Sequence, residues 1–354
     1  MGSPAPFSFL ALGCQISEGW ISFFPEAKPH SHNEERPILS NPGSPMGERF
    51  ELSGTINGHR QHAVVNEVGA SLRRLVVDGV ELVQDYPQEI AAPEGAGVVL
   101  VPWPNRVAGG AWRYDGAEEH LAITEPARGN AIHGLLRHSI YRQVGRTESS
   151  VVLAADISPA PGYPFELATS VHYDLVADGL QVTHRLENVG DRTAPVAVGA
   201  HPYLRVGDTP AAELTLVVNA GRHMEVDGSM IPTGEQDLVT GTRFDYRQGQ
   251  VLNEIALDDT WTDLQRKPDG STRHYLQAPN GNCVELHMDS NYGFIQVFTA
   301  HAFPGPGGPV RAVALEPMTA PANAFNNGLG LRWLVPGEAW ETSWGITHST
   351  SADR

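Results

Sequence analysis

The stretch Asp178-Gly179-Leu180-Gln181-Val182-Thr183-His184-Arg185-Leu186-Glu187 decides the fold class. From residue 180 onward, mainly apolar side chains alternate with polar ones, so the two sets point to opposite sides. A period of two residues indicates a β-strand with one buried face. The Asp-Gly dipeptide in front of it suits a type I′ hairpin turn, because both central residues of that turn need positive φ. The stretch therefore predicts a hairpin that leads into a half-buried antiparallel strand.

The same turn signal recurs along the chain. Seven dipeptides of this kind are present: Asn57-Gly58, Asp78-Gly79, Asp115-Gly116, Asp178-Gly179, Asp227-Gly228, Asp269-Gly270 and Asn280-Gly281. The 37 Gly and 27 Pro residues are spread throughout, and no long stretch has a helical period. We therefore predict one all-β domain over residues 48–350, a large antiparallel β-sandwich with long loops. Residues 1–47 are rich in Pro, Ser, Gly and His and predict a poorly ordered N-terminal extension.

Charge and cysteine content exclude several classes of partner. The 354 residues have a net charge of −17, so the chain would repel nucleic acid and anionic lipid. Two cysteines far apart, Cys14 and Cys283, form no disulfide framework and predict a reducing, cytoplasmic location. Residues 7–14 faintly resemble a lipoprotein signal, but no Lys or Arg precedes them. We expect a monomer or a homodimer that acts on a small molecule.

Searches for cofactor and metal motifs give negative results. The sequence has no P-loop and no Gly-rich dinucleotide-binding turn between a strand and a helix. It also has no HExxH motif, no cysteine pair spaced for zinc and no Gly-x-Ser-x-Gly elbow. The pair His30 and His32 lies within the predicted extension. We therefore predict neither a cofactor nor a metal.

Two segments could bind hydroxyl groups. Asn105 and Arg106 directly follow an apolar run, residues 98–103, that indicates a buried strand ending in a tryptophan, and Trp112 is near in sequence. Sugar sites combine planar polar groups with aromatic faces, because a pyranose has an apolar face and a ring of hydroxyls. Asp258, which lies just before a tryptophan, is a second candidate. The ordinary alternatives are a structural arginine–carboxylate pair for Arg106 and a turn cap for Asp258.

Three titratable residues stand at the ends of apolar runs. His201 ends such a run, and Pro202 restricts it to extended or turn geometry, so it is a candidate acid or base. Glu316 closes another run and precedes Pro317; partial desolvation there would raise its pKa toward a useful value. His133 precedes a glycine where a strand is expected to end. The alternatives are packed or loop histidines and a solvent-exposed carboxylate.

In their order along the chain, these segments resemble the aldose 1-epimerase (galactose mutarotase-like) family. The matching segments are VPWPNRV at 101–107, HGLLR at 133–137, GAHPYL at 199–204, the Asp near an aromatic residue at 258, and LEPMTAPANAF at 315–325. Each match is weak alone, but five in the right order span about residues 50–345. The family fold is a large β-sandwich, in agreement with the hairpin pattern.

The resemblance implies a reaction and a role for each candidate residue. The reaction interconverts the α and β anomers of a free aldohexose such as glucose or galactose, with a base and an acid on opposite sides of the sugar. The implied roles are a general base at Glu316, a general acid at His201, a polarising group at His133, hydroxyl binding at Arg106 and Asp258, and support of Arg106 by Asn105. Asp258 is followed by a second acid, Asp259, which departs from the family pattern.

Three other functions are compatible with parts of the pattern. A hexose-6-phosphate 1-epimerase would need several cations around the phosphate, and Arg128, Arg137 and Arg142 are available. A glycoside hydrolase would use paired carboxylates, whereas only one strongly placed Glu is present. A non-catalytic sugar-binding protein would have no need of both Glu316 and His201.

Overall fold

The computed structural model describes residues 44–350. Residues 1–43 lie outside this range. They include nearly all of the predicted extension, Cys14, the apolar stretch at 7–14 and the pair His30 and His32. Predictions about these residues stay predictions. Within the described range no helix is long and apolar enough to cross a membrane.

The regular secondary structure of the described chain is almost entirely β-strand. The first nine are β1 (Arg49–Ile56), β2 (His59–Asn66), β3 (Leu72–Val77), β4 (Val80–Glu81), β5 (Val99–Leu100), β6 (Arg106–Val107), β7 (Ala111–Tyr114), β8 (Ala117–His120) and β9 (Ala131–Ile132). The next nine are β10 (Arg142–Arg146), β11 (Ser150–Ile157), β12 (Leu167–Val176), β13 (Gly179–Asn188), β14 (Ala194–Val196), β15 (Gly199–Ala200), β16 (Tyr203–Leu204), β17 (Thr215–Val217) and β18 (Ala220–Val226). The last nine are β19 (Pro232–Leu238), β20 (Gln250–Val251), β21 (Asp258–Leu264), β22 (Thr272–Gln277), β23 (Cys283–Met288), β24 (Phe294–Gly305), β25 (Gly308–Met318), β26 (Arg332–Leu334) and β27 (Ala339–Ser349). The helix α1 spans Ala324–Asn327, and 3₁₀ turns span Pro93–Gly95, Ala108–Gly110 and Ala211–Glu213.

Two large antiparallel sheets dominate the architecture. One has the strand order β10-β11-β12-β13-β27-β23-β22-β17-β20. The other has the order β19-β18-β21-β24-β25-β15-β5, and β16 also pairs with β25. A four-stranded sheet, β1-β2-β3-β4, and the pairs β6-β9, β7-β8 and β14-β26 complete the fold. The predicted all-β, antiparallel fold class is confirmed.

Strand β13 shows why the alternating pattern predicts the fold. Leu180, Val182, His184 and Leu186 are fully buried, while the residues between them are partly exposed. The three apolar side chains belong to a hydrophobic core to which both large sheets contribute, and burying each stabilises the fold by about 1.5–3 kcal/mol. His184 fits there because the Trp344 indole N–H donates to its Nε2 at 2.9 Å. Burial lowers the pKa of His184 to about 3, so its ring is neutral.

The predicted turns form in different ways. At Asn57-Gly58, Asp78-Gly79 and Asp115-Gly116 both residues have positive φ and join two paired strands, as a type I′ turn requires. The chain near 227–228 and 280–281 also forms hairpins, but with longer loops, and 269–270 connects the two large sheets. These three are not the predicted two-residue turns.

Asp178-Gly179 also departs from the prediction. The hairpin is present, but Gly179 is already the first residue of β13, opposite Val176. A Cβ at Gly179 would lie 1.9 Å from the Ile346 carbonyl oxygen on β27. The glycine is required there by the close approach of the neighbouring strand.

Gly134 fixes the loop that follows β9 against the loop that follows β5. Its φ is +70°, and a Cβ there would lie 1.9 Å from the Val101 carbonyl oxygen. The next residue, Leu135, donates its backbone N–H to the same oxygen at 2.8 Å. The preceding residue, His133, therefore has a defined position relative to the segment that contains Asn105.

Substituting Gly134 tests this packing. Gly134→Ala should lower the free energy of unfolding by about 1–3 kcal/mol more than Gly129→Ala, because it adds a steric clash to the φ strain. Gly129 has nearly the same φ, +71°, but nothing within 4 Å of an added Cβ. Urea unfolding of both variants measures the difference. Equal losses would show that the approach to Val101 is not limiting.

Candidate active site

The six predicted site residues converge on one cavity. Asn105, Arg106, His133, His201, Asp258 and Glu316 all line a space of about 480 Å³. Two larger cavities, of about 680 and 510 Å³, contain none of them. Convergence of titratable side chains is a better guide to a site than size, so we place the candidate active site in the smaller cavity.

The second large sheet positions Glu316. Glu316 lies on β25, directly opposite Gln296 on β24. The expectation that Glu316 ends its strand is wrong, since β25 continues through Pro317 to Met318. Pro317 is tolerated because it lies between the residues of β25 that pair with β15 and those that pair with β16. His201 belongs to the short segment between those two strands, which brings it beside Glu316.

Glu316 and His201 are in direct contact. The His201 Nε2 lies 3.3 Å from the Glu316 Oε1, and the two residues are 4% and 2% exposed. Burial, followed by the negative charge of Asp258, raises the pKa of Glu316 well above its usual range, and Arg106 opposes this only in part. Burial lowers the pKa of His201 to about 4. Between these two shifted pKa values the buried pair holds one proton. The Glu316 Oε2 is also buried and has no hydrogen-bond partner among the described residues, which leaves it free to accept from a ligand.

His133 faces the cavity beside this pair. Its ring lies 5.5 Å from that of His201, edge to face. The Asn105 backbone N–H donates to the His133 Nδ1 at 3.2 Å. Burial, and then the neighbouring charges of His201, Arg137 and Arg106, lower the pKa of His133 well below its usual value. A neutral ring whose Nδ1 accepts a hydrogen bond has its proton on Nε2, so it can donate to a ligand oxygen.

Arg106 is held by hydrogen bonds on two sides. Its Nε and Nη2 donate to the two Glu125 carboxylate oxygens at 2.9 and 3.0 Å. The Asn105 Oδ1 accepts from the Arg106 backbone N–H at 2.9 Å and from its Nη1 at 3.4 Å. The structure thus contains the ordinary arginine–carboxylate pair considered above, and the same guanidinium still lines the cavity.

Asp258 faces the cavity, whereas Asp259 does not. The Gln296 side chain donates to the Asp258 Oδ1 at 2.7 Å, and the Arg106 Nη2 lies 3.6 Å from the Asp258 Oδ2. Burial raises the pKa of Asp258, although the positive charges of Arg106 and Arg128 oppose it. Asp259 instead contacts the His223 Nε2 at 2.8 Å. Because side chains alternate in direction along β21, Asp258 reaches the cavity and the adjacent Asp259 does not.

Several lining residues were not predicted from the sequence. They are Glu94, Thr124, Glu125, Gln296 and Phe298. Gln296 interrupts the apolar run at 294–298, and that break is a usable signal. Glu125 lies in an ordinary polar turn before a proline, where nothing in the sequence marks it.

The aromatic part of the sugar-site prediction is wrong. The side chains of Trp103 and Trp112 are buried in the core, where both pack against Phe325. The aromatic residue that lines the cavity is Phe298. Among residues 44–350, no group of three or more His, Cys, Asp or Glu side chains is arranged to hold a metal ion.

Comparisons with known proteins identify the family. The family model described as aldose 1-epimerase matches residues 54–347. YihR of Escherichia coli K12 is 34% identical over 278 residues, which cover 78% of this chain and 87% of YihR. Human galactose mutarotase is 33% identical over 213 residues, 57% of this chain and 59% of the human protein.

Solved structures show the same fold. A GalM/aldose epimerase homologue from C. elegans aligns with a TM-score of 0.74 and 20% identity, over 86% of this chain and 99% of that protein. A galactose mutarotase-like protein from Clostridium acetobutylicum aligns with a TM-score of 0.72 and 17% identity, over 85% and 98%. At this level of identity the similarity concerns the fold alone.

The Arg106–Glu125 pair can be tested by its effect on stability. Burial raises the pKa of Glu125, but the hydrogen bond and charge of Arg106 outweigh it, so the net pKa is below its ordinary value. Glu125→Gln should therefore lower the free energy of unfolding at pH 7 by about 1.5–3 kcal/mol. The loss should be complete above the unfolded carboxyl pKa of about 4.3 and should disappear as the pH falls through the lowered folded pKa.

Urea unfolding over this pH range makes the measurement. The exposed carboxylate variant Glu118→Gln is the control and should change stability by less than about 0.5 kcal/mol. A loss in Glu125→Gln that did not depend on pH would contradict the assignment.

Proposed function

Because the chain belongs to the aldose 1-epimerase family and is therefore an isomerase, we propose that it interconverts the α and β anomers of an aldohexose such as glucose or galactose. The observation on which this rests is the contact between the Glu316 carboxyl and the His201 imidazole, which lie 3.3 Å apart and line the same cavity. Ring opening of a hemiacetal requires one proton to leave the anomeric hydroxyl and another to reach the ring oxygen. A buried pair with one proton can perform both transfers.

The side-by-side arrangement modifies the expected geometry. A base and an acid on opposite sides of the sugar were expected, but Glu316 and His201 are neighbours. The anomeric hydroxyl and the ring oxygen are bonded to the same carbon, so two adjacent groups reach both. In the form of the pair that has its proton on His201 and a charged Glu316, Glu316 takes the hydroxyl proton while His201 gives its proton to the ring oxygen, so that the one proton then lies on Glu316. The open aldehyde then rotates about C1–C2, and the reverse transfers close the ring on its other face.

The remaining residues bind and orient the sugar. The Nε2–H of His133 is directed to the ring oxygen, next to His201. The Arg106 guanidinium and the Asp258 carboxylate bind hydroxyl groups, and Asn105 holds Arg106 in place. Fixed donors and acceptors of this kind lower the barrier because they need not reorganise during the reaction.

The hexose-6-phosphate alternative has little structural support. Of the three arginines available for a phosphate, Arg142 is outside the cavity and pairs with Asp156 at 2.8 Å. Arg128 lines the cavity, but it pairs with Glu125 at 3.1 Å and lies 3.9 Å from Asp258. Arg137, the third, lines the cavity, and no carboxylate of the described residues lies within 4.0 Å of it. A dianionic phosphate requires several converging cations, whereas this cavity offers one arginine that is not already paired.

A non-catalytic sugar-binding protein is also disfavoured. Burying Glu316 and His201 in contact costs free energy that sugar binding alone would not require.

We further propose a single catalytic domain over residues 48–350 and a cytoplasmic location. The extensive shared core and the two widely separated cysteines support these two proposals.

Removing either proton-transfer group tests the mechanism. Glu316→Gln and His201→Asn should each lower kcat by about 10²–10⁴-fold while changing KM much less, because the lost interaction acts in the transition state. Polarimetry on freshly dissolved sugars, corrected for spontaneous mutarotation, measures the rates. Glu254→Gln removes an exposed carboxylate and is the control. Near-normal turnover by either site variant would refute its role.

The pH dependence of kcat/KM tests the one-proton state. Because burial lowers the pKa of His201 to about 4 and raises that of Glu316 well above its usual range, the pair holds one proton over a broad interval. Activity should fall below about pH 4, where a second proton binds, and again at high pH, where the only proton leaves. A single limb with its midpoint near the ordinary carboxyl pKa would be inconsistent with a coupled pair.

A further inference from the structure

Arg137 is an arginine of the cavity without a carboxylate partner. Its side chain makes one long hydrogen bond, in which Nη2 donates to the Thr124 carbonyl oxygen at 3.4 Å. No carboxylate among the described residues lies within 4.0 Å of it, whereas Arg106 and Arg128 both have such partners. Partial burial lowers the pKa of Arg137, and the charge of Glu125 opposes this. A cation that is partly withdrawn from water and not neutralised is suited to bind an anion.

The position of Arg137 indicates which part of a sugar it would meet. In the proposed pose Glu316 binds the anomeric hydroxyl and His201 the ring oxygen. His133 comes next, and Arg137 is close enough for its charge to affect the pKa of His133. The carbon on the far side of the ring oxygen is C5, which holds the exocyclic carbon. In the other direction around the ring from the anomeric carbon, the hydroxyl-bearing carbons lie toward Gln296 and Asp258, which are hydrogen-bonded to each other.

The charges around Arg137 limit the anion to a single negative charge. One guanidinium compensates one charge, whereas a phosphate monoester carries about −1.5 to −2 at pH 7. The nearby Glu125 carboxylate would repel the excess. Glu94, a further acid of the lining, accepts from the Tyr203 hydroxyl at 3.2 Å and supplies no positive charge.

We infer that the cavity prefers an aldopyranose whose C5 substituent ends in a singly charged oxyanion bound by Arg137. This inference rests on the proposed function and narrows its substrate class. A carboxylate or a sulfate-type group satisfies the requirement, because each offers a guanidinium two oxygens and one charge.

Four substrates separate charge from shape. D-Glucose is neutral, D-glucuronate has a planar group with one charge, glucose 6-sulfate has a tetrahedral group with one charge, and glucose 6-phosphate has the same shape with nearly two. Polarimetry should give a higher kcat/KM for at least one singly charged sugar than for glucose or glucose 6-phosphate. In Arg137→Gln the ratio of kcat/KM for that sugar to that for glucose should fall by about 10–100-fold, the factor for a charge-assisted hydrogen bond. Arg142→Gln, which removes an arginine outside the cavity, should keep the wild-type ratio.

Three outcomes would overturn the inference. They are a wild-type preference for glucose, a preference for glucose 6-phosphate over both singly charged sugars, and an unchanged ratio in Arg137→Gln. If no sugar is turned over at all, the proposed function fails instead. Calorimetric titration with D-glucuronate and with glucose, on wild type and Arg137→Gln, then tests Arg137 independently: tighter wild-type binding of D-glucuronate that is lost in the variant supports the inference, and its absence refutes it.

Discussion

A carboxyl group and an imidazole that are both buried and in contact set the requirements for the rest of the structure. An isolated charge in such a place is costly. Glu316 and His201 are therefore stable together only when protonation keeps the net charge of the pair low and the neighbouring groups are well placed. The long β24–β25 pairing meets part of this requirement, because it fixes Glu316 within a strand rather than at a mobile end. The short segment between β15 and β16 meets the rest of the requirement, because it places the His201 ring beside Glu316.

A second group of residues that line the cavity holds charged side chains in fixed positions. Arg106 and Arg128 alternate there with Glu125 and Asp258, so each carboxylate has a cationic neighbour. Exposed ion pairs contribute little to stability, but these pairs are partly buried, and a partly buried network restricts the side chains to one arrangement. A sugar then meets donors and acceptors that are already oriented. Arg137 differs from the two paired arginines because no acid neutralises it.

The sequence predicts the individual strands better than it predicts which distant residues each strand contacts. Alternation in residues 180–187 identifies β13 and its buried face, because that pattern is local. The role of Gly179 depends on the Ile346 carbonyl oxygen more than 160 residues away, which no local pattern contains. For the same reason the direction of the Trp103 side chain was wrongly predicted. The six predicted residues do converge, but Glu125 and Gln296 could be recognised as lining residues only once the register of the strands was known.

Two residues of the candidate site have a strained backbone. Asn105 and His133 both have positive φ, +56° and +64°, although neither is glycine. Such a conformation costs about 1–2 kcal/mol for an ordinary residue. The two residues hold each other in it: the His133 backbone N–H donates to the Asn105 carbonyl oxygen at 2.9 Å, and the Asn105 N–H donates to the His133 ring. This second bond also fixes the proton on the ring nitrogen available to the cavity. The strained backbone and the orientation of the His133 proton therefore have the same structural cause, which is why a relaxed conformation at either residue would leave the cavity without a fixed donor beside His201.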